Sequence, residues 1–145
     1  MNAVVVHHTL NSVGGETTVA IETIEALNEL GYEVDLVTAQ KPDMERISKA
    51  YGKQVRVREM FAILPFQLNY LGIYQRLLTN VAIPSSVLRK ADLIFNTHGG
   101  GLFPVGVDSK VPFMTYLHFP AELIVSALPN GNGKYQQSYF WNAYF

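Results

Sequence analysis

Two adjacent glycines stand between an apolar run and a segment of helical period near the start of the chain. Gly14 and Gly15 follow the run at residues 3–7 and precede Glu16, where the helical pattern begins. Glycine lets a phosphate approach the backbone, and the first N–H groups of a helix attract anions. The spacing therefore predicts a phosphate-binding turn, and tight packing at the turn is the alternative that the spacing leaves open.

Two widespread phosphate-binding motifs are absent from the sequence. No G-x-x-x-x-G-K-[ST] loop occurs, and residues 11–16 do not match the dinucleotide pattern G-x-G-x-x-G. The second predicted strand runs into Thr38-Ala39-Gln40, without the acid that would hold a ribose. NAD is therefore disfavoured as a ligand.

The histidines of the chain stand at or after the ends of predicted strands. His98 follows the fourth predicted strand, His118 ends the fifth, and His7 or His8 ends the first. In open α/β sheets ligands bind beyond the carboxyl ends of the strands, so these side chains and the glycines are expected to converge on one edge. For any single histidine, a purely structural role is the alternative. No H-x-x-H or H-E-x-x-H spacing occurs, and no metal site is predicted.

Short β-branched runs alternate with helical segments along the chain, which is typical of an α/β domain with a parallel sheet. Five strands are expected, at residues 3–7, 33–38, 55–58, 92–96 and 112–118. The third predicted strand alternates valine with arginine, which indicates one solvent-exposed face and a position near the edge of the sheet.

The clearest helix is predicted over residues 16–31, with Gly31 as its C-cap. Its apolar stripe consists of Ala20, Ile21, Ile24 and Leu27. A second helix is expected to carry Pro42 in its first turn and to end at Gly52. Two or three short helices are expected within residues 60–90, where prolines interrupt an apolar sequence.

The composition limits the classes of protein to which the chain can belong. Its 145 residues predict one domain, and 48% apolar residues supply a core without disulfides. The net charge of −1 gives no basic footprint for nucleic acid, and the absence of cysteine excludes a thiolate zinc site and a cysteine nucleophile. No secretory signal is recognisable, and the uncharged stretch 60–75 is shorter than the roughly 20 residues of a spanning helix, so a cytoplasmic location is expected.

Two further segments indicate partners. The basic stretch 46–58 is typical of a solvated face, and the alternative is that it rests with the apolar segment 61–66 on an anionic membrane surface. Six aromatic residues within 135–145 predict the start of an amphipathic helix that a second domain or a partner chain covers. The chain is therefore expected to be one part of a larger protein.

Several of these residues together resemble the N-terminal half of a family 4 glycosyltransferase of the GT-B fold, and the resemblance covers most of the chain. Gly14-Gly15-Glu16, the amphipathic helix and the entry Gly31-Tyr32-Glu33-Val34 resemble the family's GG-E motif, first helix and second strand. Thr17 departs from the pattern, since the most similar subgroup commonly has Arg there.

That subgroup is the α-mannosyltransferases that extend lipid-linked oligosaccharides from the cytosolic side with GDP-mannose. The similarity lies in four places: His7, Asn11, Asn96-Thr97-His98-Gly99 and Tyr116-Leu117-His118-Phe119-Pro120. The aromatic segment near the end of the chain also resembles a helix of this subgroup.

The resemblance implies a fold, a site and a reaction. The fold would be a three-layer Rossmann-like domain, the acceptor-side half of a retaining GT-B glycosyltransferase. Gly14, Gly15 and Glu16 would bind the donor phosphates, and His118 would be the catalytic residue, facing the donor sugar and its β-phosphate. The acceptor side would consist of Asn11, Thr97, His98, Gly99 and Gly100.

A nucleotide sugar is the implied substrate, with GDP-mannose favoured, a lipid-linked glycan as acceptor, and neither a metal nor another cofactor. The family's paired glutamates and nucleotide pocket lie in a C-terminal donor-binding domain, so residues 1–145 alone are expected to be inactive. The implied location is the cytoplasm, at the cytosolic face of a membrane. Two alternatives remain: a non-catalytic α/β binding module that recruits a protein or membrane partner, and one chain of a split glycosyltransferase.

Overall fold

Apolar and β-branched runs form five strands that pair into one parallel sheet. A computed structural model describes residues 1–66, 78–79, 82–98 and 110–118. The strands are β1 (Asn2–His7), β2 (Glu33–Gln40), β3 (Glu59–Leu64), β4 (Leu93–Asn96) and β5 (Phe113–Thr115). Their order in the sheet is β3-β2-β1-β4-β5, and every neighbouring pair is parallel. The predicted α/β domain with a five-stranded parallel sheet is confirmed, and its layout is compatible with a Rossmann-like fold.

The central strand β1 is buried on both of its faces. Ala3 and Val5 pack into the core beneath the first helix, whereas Val4 and Val6 pack into the core on the opposite face. Successive side chains of a strand point to opposite faces, so an unbroken apolar run is what a doubly covered strand requires. This burial is why β1 has no polar side chain between Asn2 and His7.

Helices cover both faces of the sheet. The helices whose bounds lie within the described residues are α1 (Gly15–Glu29), α2 (Met44–Tyr51) and α3 (Ser85–Leu88). The first two contribute to one core, and α3 contributes Val87 and Leu88 to the other. In the part of the chain that the structure describes, no helix is both long and apolar enough to cross a membrane.

The prediction for α1 is confirmed in its buried face and in its C-terminal cap. The predicted stripe of Ala20, Ile21, Ile24 and Leu27 is buried. At the end of the helix the N–H of Tyr32 donates to the Leu27 carbonyl at 2.9 Å, and the N–H of Gly31 donates to the Asn28 carbonyl at 3.1 Å. This is a Schellman motif, and it requires the left-handed backbone of Gly31, whose φ is 83°.

The start of α2 differs from the prediction. Pro42 precedes the helix instead of standing in its first turn, because Asp43 is the N-cap and its side chain accepts from the Arg46 N–H at 3.0 Å. A carboxylate that accepts from a free N–H group of the first turn makes a favoured N-cap, so the helix begins directly after Asp43. The predicted end is confirmed, since Gly52 closes the helix with a φ of 65°.

The third strand is the clearest error of the sequence prediction. It runs over Glu59–Leu64, whereas residues 55–58 form no strand. Val55 and Val57 alternate because they pack against the core beneath α1, and the next residue, Arg58, forms ion pairs with β2. The predicted position of this strand at the edge of the sheet is confirmed.

Other boundaries shift by smaller amounts. β2 continues to Gln40, two residues beyond the prediction, and β5 covers only Phe113–Thr115 of the predicted 112–118. The start of the segment 60–90, expected to be helical, belongs to β3, and α3 is a short helix near its end. Residues 67–77, 80 and 81 lie outside the described residues.

Three of the five basic residues in the predicted stretch, Lys49, Lys53 and Arg58, form ion pairs with carboxylates of the same chain. Lys53 donates to Glu22 and Glu25, at 2.7 Å to each. These hydrogen bonds hold the pKa of Lys53 above its ordinary value. Lys49 pairs with Glu45 at 2.8 Å on the exposed face of α2. Contact with a membrane through this face stays a prediction, with fewer unpaired charges than the sequence indicated.

Arg58 makes the most enclosed ion pair among the described residues. Its Nε donates to Asp35 Oδ1 at 2.9 Å and its Nη2 donates to Asp35 Oδ2 at 2.5 Å, while Nη1 reaches Glu33. The hydrogen bonds to Asp35, followed by those to Glu33, hold the pKa of Arg58 above its ordinary value. The side chain of Asp35 is 3% exposed, so this carboxylate depends on Arg58 for its charge balance.

Replacing Arg58 tests that dependence. Arg58→Met keeps an unbranched side chain but leaves the buried Asp35 carboxylate without its bidentate partner. We expect the urea midpoint of unfolding to fall at least about three times as far as in Lys49→Met, which breaks only an exposed pair. Equal shifts in the two variants, measured by circular dichroism, would contradict the role assigned to Arg58.

Candidate functional site

The structure gathers all four histidines of the chain at the carboxyl edge of the sheet. His7 ends β1, His8 follows it, His98 lies after β4 and His118 lies after β5. The ring centroids of His7 and His8 are 5.0 Å apart, and those of His8 and His98 are 6.3 Å apart. We call these four residues the histidine cluster. Their convergence was predicted from the strand ends, and both His7 and His8 take part.

Thr97 connects the histidine cluster to the backbone of β1. Its hydroxyl donates to the Val6 carbonyl at 3.2 Å and lies 3.0 Å from Nδ1 of His7. A hydroxyl has one proton, so when that proton goes to Val6 the Nδ1–H of His7 donates to the Thr97 oxygen. Thr97 is completely buried, and its side chain is therefore used inside the fold.

His98 is also held in place by its neighbours. It is 1% exposed, and its backbone N–H donates to Oδ1 of the buried Asn96 at 3.1 Å. Its ring meets that of His8 edge to face, with an interplanar angle of 81°. Two of the five predicted acceptor-side residues, Thr97 and His98, are thus buried beneath the edge.

His118 is the half-buried member of the histidine cluster. Its Nε2 lies 2.8 Å from the Thr97 carbonyl oxygen, and a carbonyl only accepts, so Nε2 carries a proton and donates it. In the neutral ring Nδ1 is then the acceptor. The ring of Tyr116 lies edge to face against it, with centroids 4.9 Å apart. Two contacts therefore fix the orientation of the imidazole.

Among the described residues, no neighbour packs closely enough against the glycine turn to require its two glycines. An added Cβ at Gly14 or Gly15 would meet no heavy atom within 4 Å among the described residues. Gly14 has a φ of 176°, which is extended backbone that any residue adopts. The described residues therefore give no support to tight packing, the alternative reading of the Gly-Gly pair. The effect of the glycines is to leave the backbone open at the start of α1.

Glu16 links the glycine turn to the histidine cluster. Its Oε2 lies 3.9 Å from Nδ1 of His8, and it stands in the first turn of α1, where the helix dipole favours a carboxylate. The turn and the cluster are thus neighbours at the same edge. A carboxylate at this point also competes with a bound anion for the positive end of the helix.

Asn11 has a structural role that its place before the glycines did not indicate. Its Oδ1 accepts from the backbone N–H of Asp43 at 2.8 Å, and its Nδ2 donates to the Lys41 carbonyl at 3.1 Å. The side-chain amide therefore joins the loop after β1 to the loop after β2. Both of its polar atoms are used by these backbone contacts.

Sequence reasoning missed Tyr51, whose hydroxyl contacts Gly14. The Gly14 N–H donates to this hydroxyl at 3.0 Å. Its position at the end of a short helix before Gly52 gave no signal of the contact, because the two residues are 37 positions apart. Gly99, Gly100 and the aromatic segment 135–145 lie outside the residues that the structure describes.

No group of three or more His, Asp or Glu side chains in the described ranges is arranged to hold a metal ion. The contacts that the structure shows within the histidine cluster are hydrogen bonds and ring contacts. The same edge of the sheet carries one imidazole of fixed orientation, that of His118, and an open backbone turn at the start of α1.

Removing the Thr97 hydroxyl tests its connecting role. Thr97→Val keeps the shape of the side chain but loses the hydrogen bonds to Val6 and His7, so the free energy of unfolding is expected to fall by about 1–3 kcal/mol. Thr97→Ser retains the hydroxyl and is the matched control. Chemical denaturation of both variants measures the difference, and a loss confined to Thr97→Ser would show that the methyl group, and not the hydroxyl, matters.

The tautomer of His118 is a second direct test. In the neutral ring we expect the proton on Nε2 and the lone pair on Nδ1, because the Thr97 carbonyl cannot donate. Nitrogen-15 NMR of the histidine side chains above neutral pH distinguishes the two tautomers. A proton on Nδ1 would mean that the contact with Thr97 is not a hydrogen bond.

Comparison with known proteins adds no family to these observations. No protein-family model, no curated protein and no solved structure matches this chain. The structure by itself establishes an α/β domain with a five-stranded parallel sheet, whose carboxyl edge brings a histidine cluster beside a glycine turn.

Proposed function

We propose that this chain is the N-terminal, acceptor-side domain of a retaining GT-B glycosyltransferase of family 4. The enzyme would move a hexose, with mannose favoured, from GDP-mannose to a lipid-linked glycan. The observation that carries the proposal is that an open glycine turn and an oriented histidine both lie at the carboxyl edge of one parallel sheet, after β1 and after β5. Ligands bind at this edge in open α/β sheets.

The glycine turn supports a role in binding the donor diphosphate. In the described part of the chain neither packing nor backbone conformation requires glycine at positions 14 and 15, and the N-cap residue Gly14 has no side chain to cap the helix that follows. An uncapped helix start beside bare backbone is suited to a phosphate that approaches closely. Glu16 would limit the affinity of the turn for an anion, so most of the binding energy is assigned to a second, donor-binding domain.

His118 supports the assignment of a reaction that needs charge stabilisation. In a retaining transfer from a nucleotide sugar, the departing diphosphate gains negative charge, and preorganised donors stabilise it. The Thr97 carbonyl fixes Nε2 of His118, so Nδ1 is the nitrogen assigned to the donor. A protonated Nδ1 would donate to a phosphate, and a neutral Nδ1 would accept from a sugar hydroxyl.

The acceptor side is assigned to the loop after β4. Thr97 and His98 are buried, so they would support the acceptor side from beneath without touching the acceptor. The backbone of the loop beyond them would contact the acceptor. The aromatic segment 135–145 is proposed to dock the donor-binding domain or a partner chain. The domain described here would therefore bind ligands weakly and would not catalyse transfer by itself.

A substitution at Gly15 separates the fold from the function. Gly15→Ala adds a methyl group where the structure has open space, and alanine favours a helix over glycine by up to about 1 kcal/mol. Stability is therefore expected to stay equal or to rise, while the affinity for GDP-mannose falls severalfold. Nitrogen-15 NMR titration with millimolar GDP-mannose measures the affinity, with the amide signals of Gly14 and Gly15 as reporters.

Val13→Ala is the matched control for this titration. Val13 is 63% exposed beside the turn, and its truncation adds no bulk, so the affinity is expected to stay unchanged. The proposal fails if the glycine amide signals of the wild type do not move with the nucleotide sugar. It fails equally if Gly15→Ala binds as well as the wild type.

A further inference from the structure

We infer that Tyr51 is a positioning residue for the glycine turn and acts through its hydroxyl group. The Gly14 N–H donates to this hydroxyl at 3.0 Å, and the hydroxyl donates to the Gly14 carbonyl at 3.3 Å. One phenol thus bonds to both polar backbone groups of the residue that precedes α1. The consequence for ligand binding rests on the proposed function, whereas the two hydrogen bonds do not.

The turn has few devices of its own to hold its conformation. Gly14 provides no side chain for a cap, its backbone is extended, and a Cβ there would meet open space among the described residues. The remaining local contacts come from α1 itself, where the Thr18 N–H and hydroxyl both donate to the Gly14 carbonyl at 3.0 Å. A restraint on the N–H of Gly14 therefore has to come from outside the turn, and Tyr51 supplies it.

Tyr51 is placed to act as a fixed support. It is the last residue of α2, a helix capped by Asp43 at its start and closed by Gly52 at its end. Its half-buried ring packs against the core beneath α1, so the hydroxyl is held at a constant position relative to that helix. Asn11 adds a second link between the same two parts of the chain, through the backbone of Lys41 and Asp43.

This arrangement changes which backbone groups the turn can present to a ligand. Because Tyr51 accepts from the Gly14 N–H, the groups aimed at an anion begin at Gly15, the first residue of α1. Gly14 then contributes to ligand binding only indirectly, because it has no side chain and its backbone is held by Tyr51. Tyr51 is expected to raise the affinity of the site without touching the ligand.

Tyr51→Phe removes the hydroxyl and keeps the ring. We expect the amide of Gly14 to exchange its hydrogen faster by roughly 2- to 10-fold, the range for the loss of one hydrogen bond. We expect the Kd for GDP-mannose to rise within a similar factor. Tyr32→Phe is the matched control, since Tyr32 packs against the same core but follows the opposite end of α1.

Each outcome of this experiment has a stated meaning. Unchanged exchange at Gly14 in Tyr51→Phe overturns the inference, whatever the ligand does. Faster exchange with an unchanged or lower Kd also overturns it, since the hydroxyl would then be a structural contact or a competitor of the ligand. A wild type that binds no GDP-mannose overturns the proposed function, and the exchange rate then decides on its own whether Tyr51 holds the turn.

Discussion

Burial of β1 on both faces is the constraint on which the rest of the structure depends. Because Val4, Val5 and Val6 are buried, the polar side chains of β1 are confined to its two ends, and His7 is enclosed at the carboxyl end. A buried polar group needs hydrogen-bond partners, and the residues after β4 provide them through Thr97. The histidine cluster is thus a consequence of how the central strand is covered, and His118 reaches its place through the same threonine.

The sequence indicated the parts of the fold that local patterns determine. The stripe of α1, the capping glycines Gly31 and Gly52, and the apolar run of β1 each follow from residue types within a few positions. The third strand did not, because the alternation at residues 55–58 arises from packing against α1 and from the ion pair of Arg58 with Asp35, which lies 23 positions away. Hydrophobic periodicity records burial, and it does not distinguish a strand in a ladder from an extended segment laid over a core.

The candidate site divides in the same way. The convergence of the glycines and histidines could be predicted, since parallel strands bring their carboxyl ends to one edge. The roles of individual side chains could not, because each depends on a contact between distant positions. Asn11 forms hydrogen bonds with the backbone of Lys41 and Asp43. Thr97 forms them with Val6 and His7, and Gly14 forms one with Tyr51. The residue types in the sequence predicted where the candidate site lies. Which polar atoms remain available there depends on tertiary contacts that the sequence does not show.

The two ends of the sheet are held by different kinds of interaction. At the amino end Arg58 joins Asn2, Glu33 and Asp35, and the Asn2 N–H donates to Asp92 at 2.7 Å. The carboxyl end relies on hydrogen bonds of hydroxyl, amide and imidazole groups. Substitutions that improve a ligand site commonly reduce stability. Here the ion pairs of Arg58 lie at the amino end of the strands, away from the candidate site. Residues at the carboxyl edge can therefore change in evolution or in engineering while these ion pairs continue to stabilise the sheet.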